Sequence, residues 1–187
     1  MKIISTLLYR LTANRPARLI KLNNKPYLER YFVARLFGVT LYLHRFVSSD
    51  RERHLHNHPW TWSRSLVLSG GYDEEVVLDL TTASASGCVT ASRRVKWFNR
   101  VDGSHFHRIA NAAPHTWTLF MHSARQQVMR QNPAGFGPEF TLKGWGFLEL
   151  AYVNNEPAVV YRPHESAHTD WHRTAPKGRD IGREPLL

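Results

Sequence analysis

Histidine is abundant in this chain, with eleven among 187 residues. Their placement says more than their number. His54, His56 and His58 alternate in the stretch HLHNHPW. On an extended strand, alternate side chains leave from the same face, so a His-x-His pair can offer two imidazoles to one ion. Imidazole suits zinc, iron, copper and nickel. A second cluster, His105-Phe106-His107, ends 49 positions after His58. A strand carrying it alongside the first pair would add a third imidazole and leave coordination positions open. A lone histidine is better explained by packing or hydrogen bonding, whereas a pair plus a second cluster points to metal. His44, His115, His122, His164, His168 and His172 show no partner spacing and are read as ordinary.

The first cluster resembles the first motif of the cupin superfamily, in which His-x-His is followed by a glutamate and then a glycine. Anchoring on Gly70 places the pair at His56 and His58 and the glutamate position at Ser63. Using His54 and His56 instead breaks that register. The second cluster resembles the second cupin motif, where a glycine precedes a histidine that is followed by an asparagine. His107 and Asn111 match its end, while Gly103 lies too far upstream and no proline stands before it. The resemblance spans residues 40–125. The stretches LYLHRFVSSD, HNHPW, LSGGY and HRI, with a late WGF, also look like small cupin-like proteins associated with bacteriophage genomes.

This resemblance implies an all-β fold, a double-stranded β-helix (the cupin or jelly-roll barrel), with the metal on His56, His58 and His107. Cupins that keep the glutamate include oxalate decarboxylases, quercetin dioxygenases and acireductone dioxygenases. With Ser63 in its place, the chain is more similar to three-histidine cupins, among them iron(II) dioxygenases acting on thiols, diketones and aromatic acids. A mononuclear Fe(II) dioxygenase is therefore implied, with zinc, nickel or manganese as other candidates for the ion. Three neutral imidazoles leave the full charge of a divalent ion uncompensated, which favours a small anionic substrate. Glu74 or Glu75 would restore a carboxylate only through a shift of register, since adjacent strand residues face opposite ways. Two other readings stay open. One is a metal- or sugar-binding cupin without oxygenase chemistry, such as an isomerase or epimerase. The other is a basic accessory protein associated with nucleic acid.

Further residues near the motifs have chemical uses. Arg45, if it points into the barrel, would anchor an anionic group bidentately, and is a catalytic and substrate-binding candidate. Tyr72, after the Gly70-Gly71 turn, is a candidate proton donor. Trp60 and Trp117, with Trp62, could wall an aromatic pocket, whereas Trp145 and Phe147 read better as core. Arg108 should face away from the site on a regular strand. Cys88 has no base at a readable spacing and is not a nucleophile candidate.

Strands must position these groups. Ile3, Ile4, Leu7, Leu8 and Leu11 fit a short amphipathic helix, which Pro16 should end. Strands are expected around Tyr31–Val33 and Val39–Phe46, with Gly38 between them. Ser65–Leu68 should run into the Gly70-Gly71 turn, with Glu74–Leu80 as the return arm. Val89–Phe98, Phe106–Ile109, Thr116–Met121, Gly146–Val153 and Ala158–Tyr161 are further strands, and Gln126–Gly137 reads as an exposed loop. Short strands with turn residues between them argue for a sandwich or barrel. The division is a basic helical extension (1–26), a barrel (27–162) and a polar, poorly ordered tail (163–187).

Bulk properties set the remaining limits. One cysteine excludes an internal disulfide framework. Hydrophobic content of 42% supports a packed core. No apolar run approaches the roughly 18 residues of a membrane span, and no secretory leader is evident, so a cytoplasmic location without membrane association is expected. A net charge of +10 favours anionic partners and allows weak nucleic-acid association. The resemblance also suggests a homodimer.

Overall fold

Strand-forming residues dominate the chain, and the computed structural model shows how they pair. It describes residues 2–49, 54–58, 60–84, 87–103, 105–123, 128–131, 140–143, 146–153, 156–163 and 170–186. Among the described residues a single α-helix, α1 (Lys2–Leu11), precedes β1 (Ala17–Leu22), β2 (Lys25–Leu36), β3 (Val39–Phe46), β4 (Trp62–Ser69) and β5 (Tyr72–Ser84). There follow β6 (Gly87–Val95), β7 (Phe98–Asp102), β8 (His107–Ala112), β9 (Trp117–His122) and β10 (Val128–Gln131). The last strands are β11 (Phe140–Lys143), β12 (Gly146–Val153) and β13 (Glu156–Pro163).

One antiparallel sheet runs in the order β1-β2-β3-β9-β4-β7, and a second in the order β6-β5-β8. The β12-β13 hairpin joins the second sheet through His56, which bridges to His107 on one side and to Glu149 on the other. The architecture is therefore all-β with one short N-terminal helix. Side-chain alternation gives each strand of the large sheet two different faces. On β3, His44 and Phe46 face the interior cavity while Leu43 packs beneath α1. On β4, Ser63 and Ser65 face the cavity and Leu68 packs beneath the helix.

Four expectations need correction. The Gly70-Gly71 turn does not close a hairpin, because β4 pairs with β9 and β7, whereas β5 pairs with β6 and β8. The turn instead passes the chain from one sheet to the other. Gly70 has φ +75°, and a Cβ there would lie 2.4 Å from Thr116 Oγ1, so only glycine fits. Residues 17–26 are not part of a helical extension: Pro16 ends the helical turn, and Ala17 opens a strand of the main sheet. The candidate strand Val89–Phe98 is divided by a bend at Lys96-Trp97 into β6 and β7. Within Gln126–Gly137, residues 128–131 form β10; the rest of that segment lies outside the described residues.

The tail is ordered over its described part. Its first residues meet β2 and β3, with His172 stacked on Phe32 and Trp171 on Tyr42; further on, Ala17 N–H donates to the Pro176 carbonyl (2.9 Å) and Gly178 N–H to that of Arg15 (2.8 Å). Trp171 is buried, and Ile181 joins Ala17, Tyr31 and Trp117 in the core beneath α1. A polar composition hid these few apolar anchors.

Candidate metal centre

Backbone pairing brings the two histidine clusters together. His56 and His107 exchange both backbone hydrogen bonds, each N···O being 3.0 Å. Directly opposed residues of an antiparallel pair carry their side chains on one face, and alternation places His58 on that face as well. Asn57, pointing the other way, fastens the segment: its amide donates to the Gly103 carbonyl (2.8 Å) and accepts from Leu148 N–H (2.9 Å).

The three imidazoles converge, with one ligand nitrogen from each of His56, His58 and His107 lying within 4.8 Å of the others. His58 Nε2 and His107 Nε2 are 2.9 Å apart. Two nitrogens bound at right angles, each about 2.1 Å from a shared ion, would stand about 3.0 Å apart. This donor set fits a first-row divalent ion. His54 and His105 are exposed and take no part in the cluster. The His54 carbonyl does contribute, standing 3.1 Å from His56 Nδ1. Because a carbonyl only accepts, the proton of neutral His56 sits on Nδ1 and Nε2 keeps its lone pair.

Glu74 fixes His107 in the same way. Its carboxylate is fully buried and lies 2.6 Å from His107 Nδ1, holding that proton and leaving the Nε2 lone pair toward the cluster. Burial alone would push the Glu74 carboxyl upward. Hydrogen bonds from His107 and Asn99 and the charge of Arg93 outweigh burial, so the group is held below its ordinary value. Glu75 faces outward and pairs with Arg108 at 2.7 Å, which also turns Arg108 away from the site as expected. Neither glutamate belongs to the ligand cluster. Ser63 does line the cavity, with its hydroxyl donating to the Val101 carbonyl (2.9 Å).

The histidines open into a cavity of about 100 Å³ inside the barrel. Tyr72 and Trp60 line it, together with Tyr27, Phe46, Ile109 and Phe120. Trp60 stacks between His58 (4.6 Å between centroids) and His122 (4.4 Å). Its indole Nε1–H is buried without an acceptor among the described residues. The Tyr72 hydroxyl accepts from Asn99 (3.1 Å) and is pushed up to about 12 by burial and by the Glu74 charge. It is therefore a proton-bearing group at neutral pH.

Two expected site residues lie elsewhere. Arg45 is on the outer face of β3, where it forms a buried ion pair with Glu29 (3.1 Å) and donates to the carbonyls of Glu184 and Pro185. Trp117 is on the outer face of β9, stacked on Tyr31 and donating to Ser5 Oγ (2.9 Å). Neither lines the histidine cavity. Trp62 also faces outward, under Arg64. Phe147 approaches His56 edge-on at 5.7 Å, while Trp145, His164 and His168 lie outside the described residues.

The cavity also holds groups that the spacing did not single out. Arg30 and His44 both line it, and Arg30 Nε donates to His44 Nε2 (3.0 Å). Burial, then the Arg30 charge, holds His44 well below its ordinary value, so it stays a neutral acceptor. Asn99 was equally unmarked, while Glu74, expected only as a ligand after a shift of register, instead bonds His107 Nδ1. Their signal is the pairing of β5 with β8 and of β4 with β7, which spacing along the chain does not carry.

No protein-family model matches the chain, and no curated protein does. Several solved structures are similar in fold. One is a cupin-2 domain protein from Rhodospirillum rubrum, at 16% identity over 65% of this chain and 76% of that one, with a TM-score of 0.44. Another is KdgF from a Halomonas species, at 14% identity over 58% of this chain and 95% of the other, with a TM-score of 0.41. A third is hydroxypropylphosphonic acid epoxidase from S. wedmorenis, at 12% identity and a TM-score of 0.40. The match covers 58% of this chain and only 55% of the epoxidase.

Proposed function

We propose, taking a cupin-type barrel with three converging imidazoles as the premise, that this chain is a metal-dependent enzyme holding one Fe(II) on His56, His58 and His107. The observation that carries this reading is the convergence of three imidazole nitrogens within 4.8 Å at the wall of an interior cavity. Such an ion supplies Lewis-acid chemistry and, as iron, the redox chemistry of an oxygenase. Its substrate is a small anion with an apolar body.

The protein's own residues suit that substrate. His56 and His107 are fixed with Nε2 available, by the His54 carbonyl and by Glu74 respectively. Three neutral imidazoles add no negative charge to the ion, so an anion at the open positions is favoured. Arg30 places a permanent positive charge at the cavity wall, in the role first assigned to Arg45. Trp60 Nε1–H is a buried donor that a substrate oxygen would satisfy, and leaving it unmet costs about 1–3 kcal/mol. Tyr72, protonated at neutral pH, can donate to a developing negative charge. The aromatic wall of Trp60 and Phe120 gives the substrate's apolar body a surface to pack on.

Oxygen consumption tests the activity. Tag-free protein reconstituted anaerobically with Fe(II) is mixed with small thiol acids, β-diketones and aromatic carboxylates in an oxygen electrode cell. The proposal expects uptake with at least one class, lost in His107→Ala. Stoichiometric Fe(II) binding with no uptake from any class would favour a metal-binding cupin that does no oxygenase chemistry.

A further inference from the structure

Helix α1 packs on the sheet through a mixed polar and apolar side. Ser5 and Thr12 are buried; Ser5 accepts the Trp117 indole hydrogen bond, and the Thr12 hydroxyl donates to the Leu8 carbonyl (2.8 Å). Leu8 and Tyr9 pack on the sheet beside them. The opposite side carries Ile3, Ile4, Leu7 and Leu11, which are 85%, 48%, 56% and 60% exposed. At about 100° per residue these four fall on one arc of the helix surface, so they form a continuous apolar strip facing away from the protein.

Basic residues outnumber acids around this strip. Lys2 and Arg10 are exposed on the helix itself, Arg15 follows it, and Lys177 is bridged to Pro16 beside it. Residues 2–15 contain Lys2, Arg10 and Arg15 and no aspartate or glutamate. Asp180, the nearby acid on the tail, is already paired with Arg179. An apolar strip with basic residues beside it is complementary to an anionic lipid surface, which supplies an apolar layer beneath negative headgroups. Nucleic acid offers the charge without the apolar layer. A second copy of the chain would bring the same positive charge. Moreover, a strip on a helix roughly 15 Å long is far smaller than the roughly 800 Å² per partner of a stable dimer.

We propose that α1 docks the protein peripherally on anionic membranes, lying in the interface with Ile3, Ile4, Leu7 and Leu11 inserted. This is association without spanning, and among the described residues no helix is long and apolar enough to cross a bilayer. The sheet face behind α1 carries Trp117 and Arg45, so docking leaves the histidine cavity on the other side of the sheet.

Co-sedimentation of the full chain with phosphatidylcholine vesicles, with and without about a third phosphatidylglycerol, tests this directly. The expected result is binding to the anionic vesicles only, weakened at least about tenfold in Leu7→Asn/Leu11→Asn, because two inserted leucines are lost. In Lys2→Glu/Arg10→Glu, binding should fall and lose much of its salt dependence. Both pairs are exposed, and circular dichroism checks that the variants stay folded. No binding to anionic vesicles, or binding unchanged in the leucine variant, overturns the proposal. A self-association seen by analytical ultracentrifugation that the leucine variant abolishes, without vesicle binding, overturns it in favour of a second copy.

Discussion

In the candidate metal centre, His56 and His107 depend on neighbours that hold their protons in place. Glu74 is the chief of these, bonded at once to His107, Asn99 and Arg93. Glu74→Gln removes the negative charge but keeps an acceptor, so metal affinity should fall about 10- to 100-fold, read by competition with a chromogenic chelator. His44 gives a pH prediction. Its folded-state value lies well below the ordinary one, so its neutral form is favoured by folding. That contribution is fully present above the unfolded histidine value, about 6.5, and is lost as pH falls toward the folded value. In urea titrations from about pH 8 down to about pH 5, His44→Gln should lose less stability than the parent protein. A parallel decline in both would contradict a buried neutral His44. His56, His58 and His107 could be read in the sequence because alternation and the spacing to Gly70 reflect strand geometry. Arg45 and Trp117 could not be placed, since the side of the sheet they occupy depends on what covers it. Glu74 needed the β5-β8 register, in which Val76 opposes His107 and Glu74 lies two positions away on the same face.

At the level of elements, the site depends on the chain changing sheets at the right place. Gly70 and Gly71 carry β4 into β5, and Thr116 closes the turn by donating to the Gly71 carbonyl (2.9 Å). Gly70→Ala would strain a positive φ and collide with Thr116 backbone and side chain. A loss of about 2–4 kcal/mol is expected in chemical denaturation, combining backbone strain with overpacking. A change of less than about 0.5 kcal/mol would show that the turn tolerates a side chain. The strands themselves were largely legible, since β-branched and aromatic runs separated by Gly, Asn and Ser mark them. Their partners were not. A glycine pair between two strands reads locally as a hairpin, and only packing against Thr116 on β9's approach shows a crossing between sheets.

At the scale of the whole molecule, the two faces of the large sheet divide the work. The inner face carries the histidine cavity, with Trp171 and His172 stacked on Tyr42 and Phe32, while the outer face carries α1, residues 176–185 of the tail and the buried Arg45–Glu29 pair. Glu29 also accepts from the Tyr31 hydroxyl (2.6 Å) and from Glu184 N–H (2.8 Å), so the tail seals the pair from water. Arg45→Ala would strand a buried carboxylate and should cost about 3 kcal/mol or more. If Arg45 is structural, metal binding per folded molecule will be unchanged in that variant. A chain ending at Thr174 should likewise unfold at lower temperature yet keep its metal affinity. This separation was hidden from the sequence because tail composition is polar, and its few contacts are carried by backbone groups and by Trp171 and Ile181.

Metal content is the most direct test of the central claim. Chain purified without tag or chelator, then reconstituted anaerobically with Fe(II) and desalted, is measured by inductively coupled plasma mass spectrometry beside His56→Ala/His107→Ala. One equivalent of ion per chain in the parent and none in the variant is the predicted result. No retained metal in the parent, or equal retention in the variant, would contradict a metal centre at these histidines.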